Sequence, residues 1–306
     1  MAISAKDVME LRKQTDCGMM ECKKALTEAD GNFEKAIEIL RERGLATAAK
    51  KAGRIAAEGM VYADYCPQCK VGVVIEVNAE TDFVAKNDKF VDFVKKATKV
   101  IMEQNPADVE TLMNCKMGDE TVDQALKELI LVIKENIKVR RFVRYEGVCS
   151  AYVHGGGTHG ILVNFETTNG IEAKDEFATY GKDIAMQVAA ANPGYVDEAS
   201  VPAEVVAKEK EIMLAQMAGD PKTANKPEAV KQKMIEGKIK KFFKENCLVD
   251  QEFVKDSDLT VAQYTAKVAK DLGGDIKIVK FTRFQKGEGL EKRADDFAAE
   301  VASMVK

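Results

Sequence analysis

VGVVIEVNAETDFVAKN, residues 71–87, and HGILVNFETTNGIEAKD, residues 159–175, are two copies of one pattern. In the first, Val71 to Val77 is a valine- and isoleucine-rich run of the kind that forms a buried strand. Glu58-Gly59 and Gly72 match Glu146-Gly147 and Gly160 at an offset of 88. Thr81, Asp88, Phe90 and Pro106 match Thr168, Asp175, Phe177 and Pro193 at an offset of 87. The one-residue slip must therefore lie between strand and helix. Each copy predicts a strand, a short polar turn, a second apolar strand and a helix. The body is thus expected to be two copies of a hairpin-plus-helix unit, each sheet covered by helices, in an α+β fold.

Outward from the repeat the pattern is helical. Ser4 and Asp7 fit a capping box. Val8, Leu11, Met19, Met20, Cys22 and Leu26 recur at helical spacing, and Gly18 and Gly31-Asn32 mark turns. Phe33, Ile37 and Leu40 form a third stripe, which Gly44 is expected to end. ATAAKKAGR, residues 46–54, then predicts a linker helix. Beyond Pro193, Val205, Val206, Ile212, Met213 and Met217 form one stripe, and Val230, Met234, Ile235 and Phe242 another. GDPKTANKP, residues 219–227, breaks them. An antiparallel helical hairpin over about 200–245 is expected, followed by a returning strand in DIKIVKFTRF. Leu290, Ala294, Phe297, Val301 and Met304 predict an amphipathic terminal helix. The expected division is a three-helix unit and linker over 1–53, core halves over 54–145 and 146–286, and a C-terminal helical module over 287–306.

Composition narrows the function classes. The 306 residues are 46% apolar, enough for about two cores at ~150 residues each. Basic and acidic residues number 46 and 50, a net charge of −4, which argues against a general nucleic-acid binder. No run approaches the ~20 apolar residues of a membrane span, and no signal peptide is legible. The seven cysteines are expected to be reduced thiols in the cytoplasm.

Gly155 to Gly160 has phosphate-loop spacing, but Ile161 and Leu162 stand where Lys and Ser/Thr are needed, and a hairpin turn accounts better for these glycines. Cys66-Pro67-Gln68-Cys69 is half of a zinc pattern, and His154 aligns with Cys66 in the repeat. Two cysteines and two histidines can meet only if the two hairpin tips lie side by side, so a zinc or thiol protein stays an alternative. Neither histidine has a nucleophile beside it for a triad. Met19 and Met20 lie ~100° apart on a helix and cannot both face one small core, so one is free for a partner. Thr81 is expected to cap a helix and Asp82 to sit at its positive end. Phe83 fits the apolar stripe of Phe90, Val94, Ala97 and Ile101. Yet the helix register puts Asn169-Gly170 where the first copy has Asp82-Phe83, so the core does not need the ring. In the strand register Phe83 would match Ile171 instead.

LRKQTDCGMMECKKALTEADGNFEKAIEILR, EVNAETDFVAKN, VHGGGTHGILV, KMIEGKIKKFF and GEGLEKRADDFAAEVASM resemble, in order and across nearly the whole chain, the bacterial elongation factor Ts family. The resemblance implies a guanine-nucleotide exchange factor for the GTPase elongation factor Tu, with no bond chemistry and no cofactor of its own. It implies an N-terminal domain like the ubiquitin-associated fold, two related core subdomains, a protruding coiled coil and a C-terminal module. Thr81, Asp82, Phe83 and Val84 would intrude beside the partner's Mg²⁺ and nucleotide. Met19, Met20 and His154 would contact its GTPase domain, and Met234 and Ile235 would contribute. The implied partner is elongation factor Tu in its GDP-bound and nucleotide-free forms, with no direct nucleic-acid or membrane contact. A homodimer through the helical hairpin and a non-catalytic scaffold remain alternatives. The CPQC turn departs from the family pattern.

Overall fold

Every residue of β2 (Val71–Ala79) is buried, because the strand is covered on both faces. Val71, Val73, Ile75, Val77 and Ala79 join one core and Val74 another, the alternation that a pleated strand imposes. The structure, a computed structural model, describes residues 3–15, 17–224 and 226–291. β2 lies between β1 (Glu58–Cys66) and β5 (Lys138–Glu146), antiparallel to both. In the second copy β7 (His159–Thr167) lies in the same way between β6 (Val148–His154) and β10 (Ile276–Gln285). α4 (Asp88–Gln104) and α6 (Val122–Ile133) cover the outer face of the first sheet. α7 (Asp175–Ala191) and α11 (Val261–Leu272) cover that of the second. The fold is mixed α/β, in four layers.

The two sheets meet through their inner faces, where Val61, Ala63, Val74, Cys149, Leu162 and Phe284 pack together. A Cβ on Gly72 would lie 2.6 Å from Leu162 Cδ1 and 3.0 Å from Cys149 Cβ. One on Gly160 would lie 2.4 Å from Val61 Cγ1 and 3.2 Å from Val74 Cγ2. The 88-residue offset exchanges these partners, Val61 for Cys149 and Val74 for Leu162. The copies are therefore related by an approximate twofold axis, and each glycine makes room for the other copy's strand.

The repeat is longer than its sequence signal. After α4 come α5 (Val109–Asn114), a hairpin of β3 (Lys116–Met117) and β4 (Glu120–Thr121), then α6 and β5. After α7 the second copy has a hairpin of β8 (Glu252–Phe253) and β9 (Asp256–Thr260), then α11 and β10. In both copies the helix after the small hairpin opens with a Thr/Gln capping box, Thr121 with Gln124 and Thr260 with Gln263. Both third strands carry a bulge at the matching place. Arg140 is extra opposite Glu76 and Val77, and Val279 opposite Asn164 and Phe165. What shifts the offset from 87 to 139, Thr121 to Thr260, is the insertion of α8 (Ala203–Gly219), α9 (Pro221–Ala224) and α10 (Glu228–Asn246).

The bulge at Arg140 lets two successive arginines reach one carboxylate. Glu76 is fully buried between the sheets. It accepts from Arg140 Nη1 at 3.0 Å, Arg141 Nε at 2.6 Å, Asn78 Nδ2 at 3.1 Å and the Gly287 amide at 2.8 Å. A buried charge needs such partners. Here they also tie the segment after β10 to the first sheet.

At the N-terminus, α1 (Ala5–Thr15), α2 (Met19–Glu28) and α3 (Phe33–Lys51) enclose Leu11, Cys22, Leu26, Ala36 and Leu40, joined by Leu131 of α6. Ser4 Oγ donates to Asp7 Oδ2 at 2.7 Å, and the Asp7 amide donates back to Ser4 Oγ at 3.2 Å. Several expectations are corrected. Gly44 does not end α3, which runs on to Lys51 and absorbs the expected linker helix. Gly44 is buried against α6, where a Cβ would lie 3.3 Å from the Lys127 carbonyl, so it serves a close helix crossing. The seam of the helical hairpin is Met217, Ile235 and Ile239, flanked by Val206, Met213, Met234 and Phe243. Ile212 and Val230 face solvent. Of the seven cysteines expected to be reduced, Cys66 and Cys69 form a disulfide, and the other five are free. The expected terminal helix lies outside the described residues from its third residue position onward, Ala294, Phe297, Val301 and Met304 included.

Candidate partner-binding site

Between β2 and α4 the chain makes a braced turn. Glu80 is the residue that the second copy lacks. Strand ends Ala79 and Thr167 stand 88 apart, whereas the 3₁₀ turns Val84–Lys86 and Ile171–Ala173 stand 87 apart. Its carboxylate accepts from the Asn136 amide at 2.6 Å and from Arg54 Nη1 at 3.5 Å. The Thr81 amide and hydroxyl both donate to Glu135, at 2.9 and 2.7 Å. Val84 is buried in the first core. Asn87 Oδ1 accepts from the Lys89 amide at 3.0 Å and caps α4.

Thr81 therefore does not cap the helix, and Asp82 does not lie in its first turn. The α-helix begins at Asp88, because Asn87 supplies the capping oxygen and a 3₁₀ turn intervenes. Phe83 does not extend the α4 stripe. Phe90, Val94, Ala97 and Ile101 are fully buried, whereas Phe83 is 80% exposed, the most exposed large apolar side chain among the described residues. The matching 3₁₀ turns pair Phe83 with Gly170, which takes φ +68°, and Val84 with Ile171, both of them buried. The second copy thus builds the same turn without a ring. A large apolar side chain held outward by a rigid turn is a natural anchor for a partner's pocket. Asp82 beside it is exposed.

The remaining candidates divide between surface and core. Met19 and Met20 are both exposed, 49% and 63%, where one was expected to face the core; Cys22, Ala25 and Leu26 fill that core without them. His154 is exposed at the tip of the β6–β7 hairpin, its Nδ1 3.0 Å from Tyr152 Oη. His159 pairs across from it in the ladder. Burial and then the Arg283 charge hold the His159 ring below the usual imidazole range. Ile235 is buried in the hairpin seam and is no surface contact; Met234 is half-buried beside it. Val84 is likewise a core residue.

The zinc alternative required the hairpin tips to meet, and they lie apart. The β6–β7 tip sits on the start of β1, where a Cβ on Gly157 would fall 2.8 Å from Met60 Cβ. The Cys66–Cys69 turn closes the far end of β1. The described residues contain no cluster of three His, Cys, Asp or Glu able to hold a metal.

Sequence patterning missed Glu135, which braces the turn. The second copy carried the clue. Thr168 Oγ1 accepts from the Asp275 amide at 2.8 Å and donates to Asp275 Oδ2 at 3.2 Å. In each copy, the threonine after the second strand is held by an acid just ahead of the third strand.

Residues 80–288 match the family model described as elongation factor TS. The chain is 48% identical over 311 residues to Elongation factor Ts of Syntrophotalea carbinolica, the whole of both chains being covered. It is 47% identical over 306 residues to that of Clostridium perfringens strain 13, with 99% of each covered. Against that of Clostridium novyi it is 49% identical over 306 residues, covering 98% of this chain and 97% of the relative. With identity at this level over its full length, the chain belongs to the elongation factor Ts family.

Proposed function

We propose that this chain is a guanine-nucleotide exchange factor for elongation factor Tu, and that the Asp82-Phe83 turn is the element that loosens the nucleotide. The observation that carries this is the 80% exposed Phe83 ring on a turn braced from below by Val84 and from the side by Thr81 and Glu135. A wedge must be stiff to displace what it enters, and the turn has few ways to yield. GDP is held in such GTPases by a phosphate loop and by Mg²⁺ bridging phosphate oxygens. Phe83 enters beside the cation site and shifts the elements that position it, and Asp82 adds polar contacts at the same point. The nucleotide is then held less tightly and leaves sooner. By linkage, nucleotide weakens the factor's own binding by the same ratio, so incoming GTP releases the factor for another round. No bond is made or broken by this chain.

Met19, Met20 and His154 supply further contact area, from an N-terminal unit and a hairpin tip well apart from Phe83 in sequence. The factor works in the cytoplasm on GDP-bound and nucleotide-free partner. The test is stopped-flow release of a fluorescent GDP analogue from elongation factor Tu, with and without this chain. Release accelerated in proportion to complex formation is expected. Unchanged release at saturating chain, with binding retained, would leave only a passive scaffold.

A further inference from the structure

The CPQC turn takes no part in the site above. Cys66 ends β1 and Cys69 stands two residues before Val71 opens β2. Their sulfurs are bonded, and their Cα atoms lie 5.5 Å apart, in the range that a disulfide spans without backbone movement. Cys69 is exposed and Cys66 half-buried. Cys17, Cys22, Cys149 and Cys247 are buried, and Cys115 is half-buried. Burial pushes the Cys17 and Cys149 thiols up, and the Cys247 thiol up to about 11, which keeps them protonated and unreactive. Solvent thiols therefore find one cysteine pair within bonding reach of each other, at an accessible turn.

That turn also clasps the two copies together. Lys70 takes a left-handed φ of +50°. Its carbonyl accepts from the Gly147 amide at 2.8 Å, and its ammonium lies 3.5 Å from Glu172 of the second copy. Pro67 and Lys70 line a cleft of about 660 Å³ together with Ser150, Ala178 and Lys182. Closing the four-residue ring from Cys66 to Cys69 restrains the backbone that places Lys70.

We propose that Cys66 and Cys69 form a reversible thiol–disulfide site that responds to small-molecule disulfides and dithiols, and that its oxidised state holds the Lys70 clasp shut. In oxidation, the exposed Cys69 thiolate attacks one sulfur of a low-molecular-weight disulfide. A mixed disulfide forms and one thiolate leaves. The Cys66 thiolate then attacks Cys69 Sγ and expels the second thiolate. The protein gives up two electrons and two protons, and the oxidant becomes two thiols; excess dithiol runs the sequence backwards. The pair sits in a turn between two strands, where no helix N-terminus acts on its thiolates.

The test uses the full chain equilibrated in glutathione redox buffers, quenched with a maleimide and mapped by peptide mass. Cys66 and Cys69 are expected to titrate together as one two-electron transition, while the other five thiols stay outside it. The Cys66→Ser/Cys69→Ser double variant should fold and lack the transition. Amide exchange at Gly147 should be slower in the oxidised chain by up to about twentyfold, the loop-closure limit for so small a ring. The proposal falls if excess glutathione disulfide leaves both thiols free or caps only one of them. It falls also if the reduced chain binds added Zn²⁺ through both thiolates and so resists oxidation, or if Gly147 exchanges equally fast in both states.

Discussion

Replacing Phe83 by alanine separates what the ring does for this chain from what it does to a partner. At 80% exposure about a fifth of the side chain is covered by its own protein. A phenylalanine buries ~200 Å² when fully enclosed, so about 40 Å² would be lost, worth about 1 kcal/mol at 25 cal/mol per Å². The remaining ~160 Å² is available to a pocket and sets a ceiling of about 4 kcal/mol, or a thousandfold in an equilibrium constant. Ordering of the side chain and imperfect packing reduce that, and about a ten- to hundredfold loss of GDP-release acceleration is expected. Phe90→Ala is the contrast. Phe90 is fully buried, and its truncation should cost about 3–5 kcal/mol of stability. The assay pairs urea unfolding of each variant with stopped-flow release of fluorescent GDP from elongation factor Tu. Full acceleration by a folded Phe83→Ala chain would refute the wedge. A stability loss as large as that of Phe90→Ala would refute the claim that the ring is dispensable to the fold.

Other substitutions probe the frame around this turn. Gly160→Ala should destabilise by about 1–3 kcal/mol in urea, because the added Cβ meets Val61 Cγ1 at 2.4 Å in a closed inter-sheet contact; wild-type stability would show that the sheets can part freely. Glu135→Ala leaves two Thr81 donors without their acceptor, so about 1–3 kcal/mol of stability and part of the exchange activity should be lost together. Asp250 is raised above the usual carboxylate range by burial and then by Glu198 and Asp197, and its Oδ2 has no hydrogen-bond partner. The folded state then binds the proton more tightly than the unfolded one, so the charged form costs stability as pH rises from the unfolded pKa through the raised folded one. Asp250→Asn should therefore raise the melting temperature at pH 7 and lose that advantage near pH 4; a gain confined to acid would reverse the sign. Met19→Ala with Met20→Ala should leave the melting temperature almost unchanged, since both are exposed, while weakening partner binding in calorimetry.

Legibility from sequence followed the range of the interaction. The two copies of strand and helix were visible because Gly72 and Gly160 must recur where the sheets touch, and Phe90 and Phe177 must recur under the sheets. The second half of each copy was hidden by the inserted helices, which move it from one offset to another. The two Thr-x-x-Gln boxes, Thr121 and Thr260, are the local signal that would have exposed it. The exposed Phe83 was inferred correctly from the glycine in its place in the second copy, but its setting was not. A helix start was expected at Thr81, and the turn instead belongs to Glu135, which is 54 residues away. The family resemblance implies Ile235 and Val84 as partner contacts, yet both are buried, because a motif records which residues occur together, not which way each side chain points.

The sequence by itself determined the repeat, the mixed α/β class, the helical insertion and the oddity of a phenylalanine at a polar turn. Periodicity, capping residues and glycines at close contacts are each written within a few residues of where they act. The tertiary structure alone decided that the two sheets face each other about an approximate twofold axis and that the hairpin tips bearing histidine and cysteine lie apart. It also decided that Glu76 gathers two arginines and that Glu135 braces Thr81. Those outcomes depend on which distant surfaces meet, and a bulge at Arg140 or one extra residue at Glu80 redirects them without leaving a periodic trace in the chain.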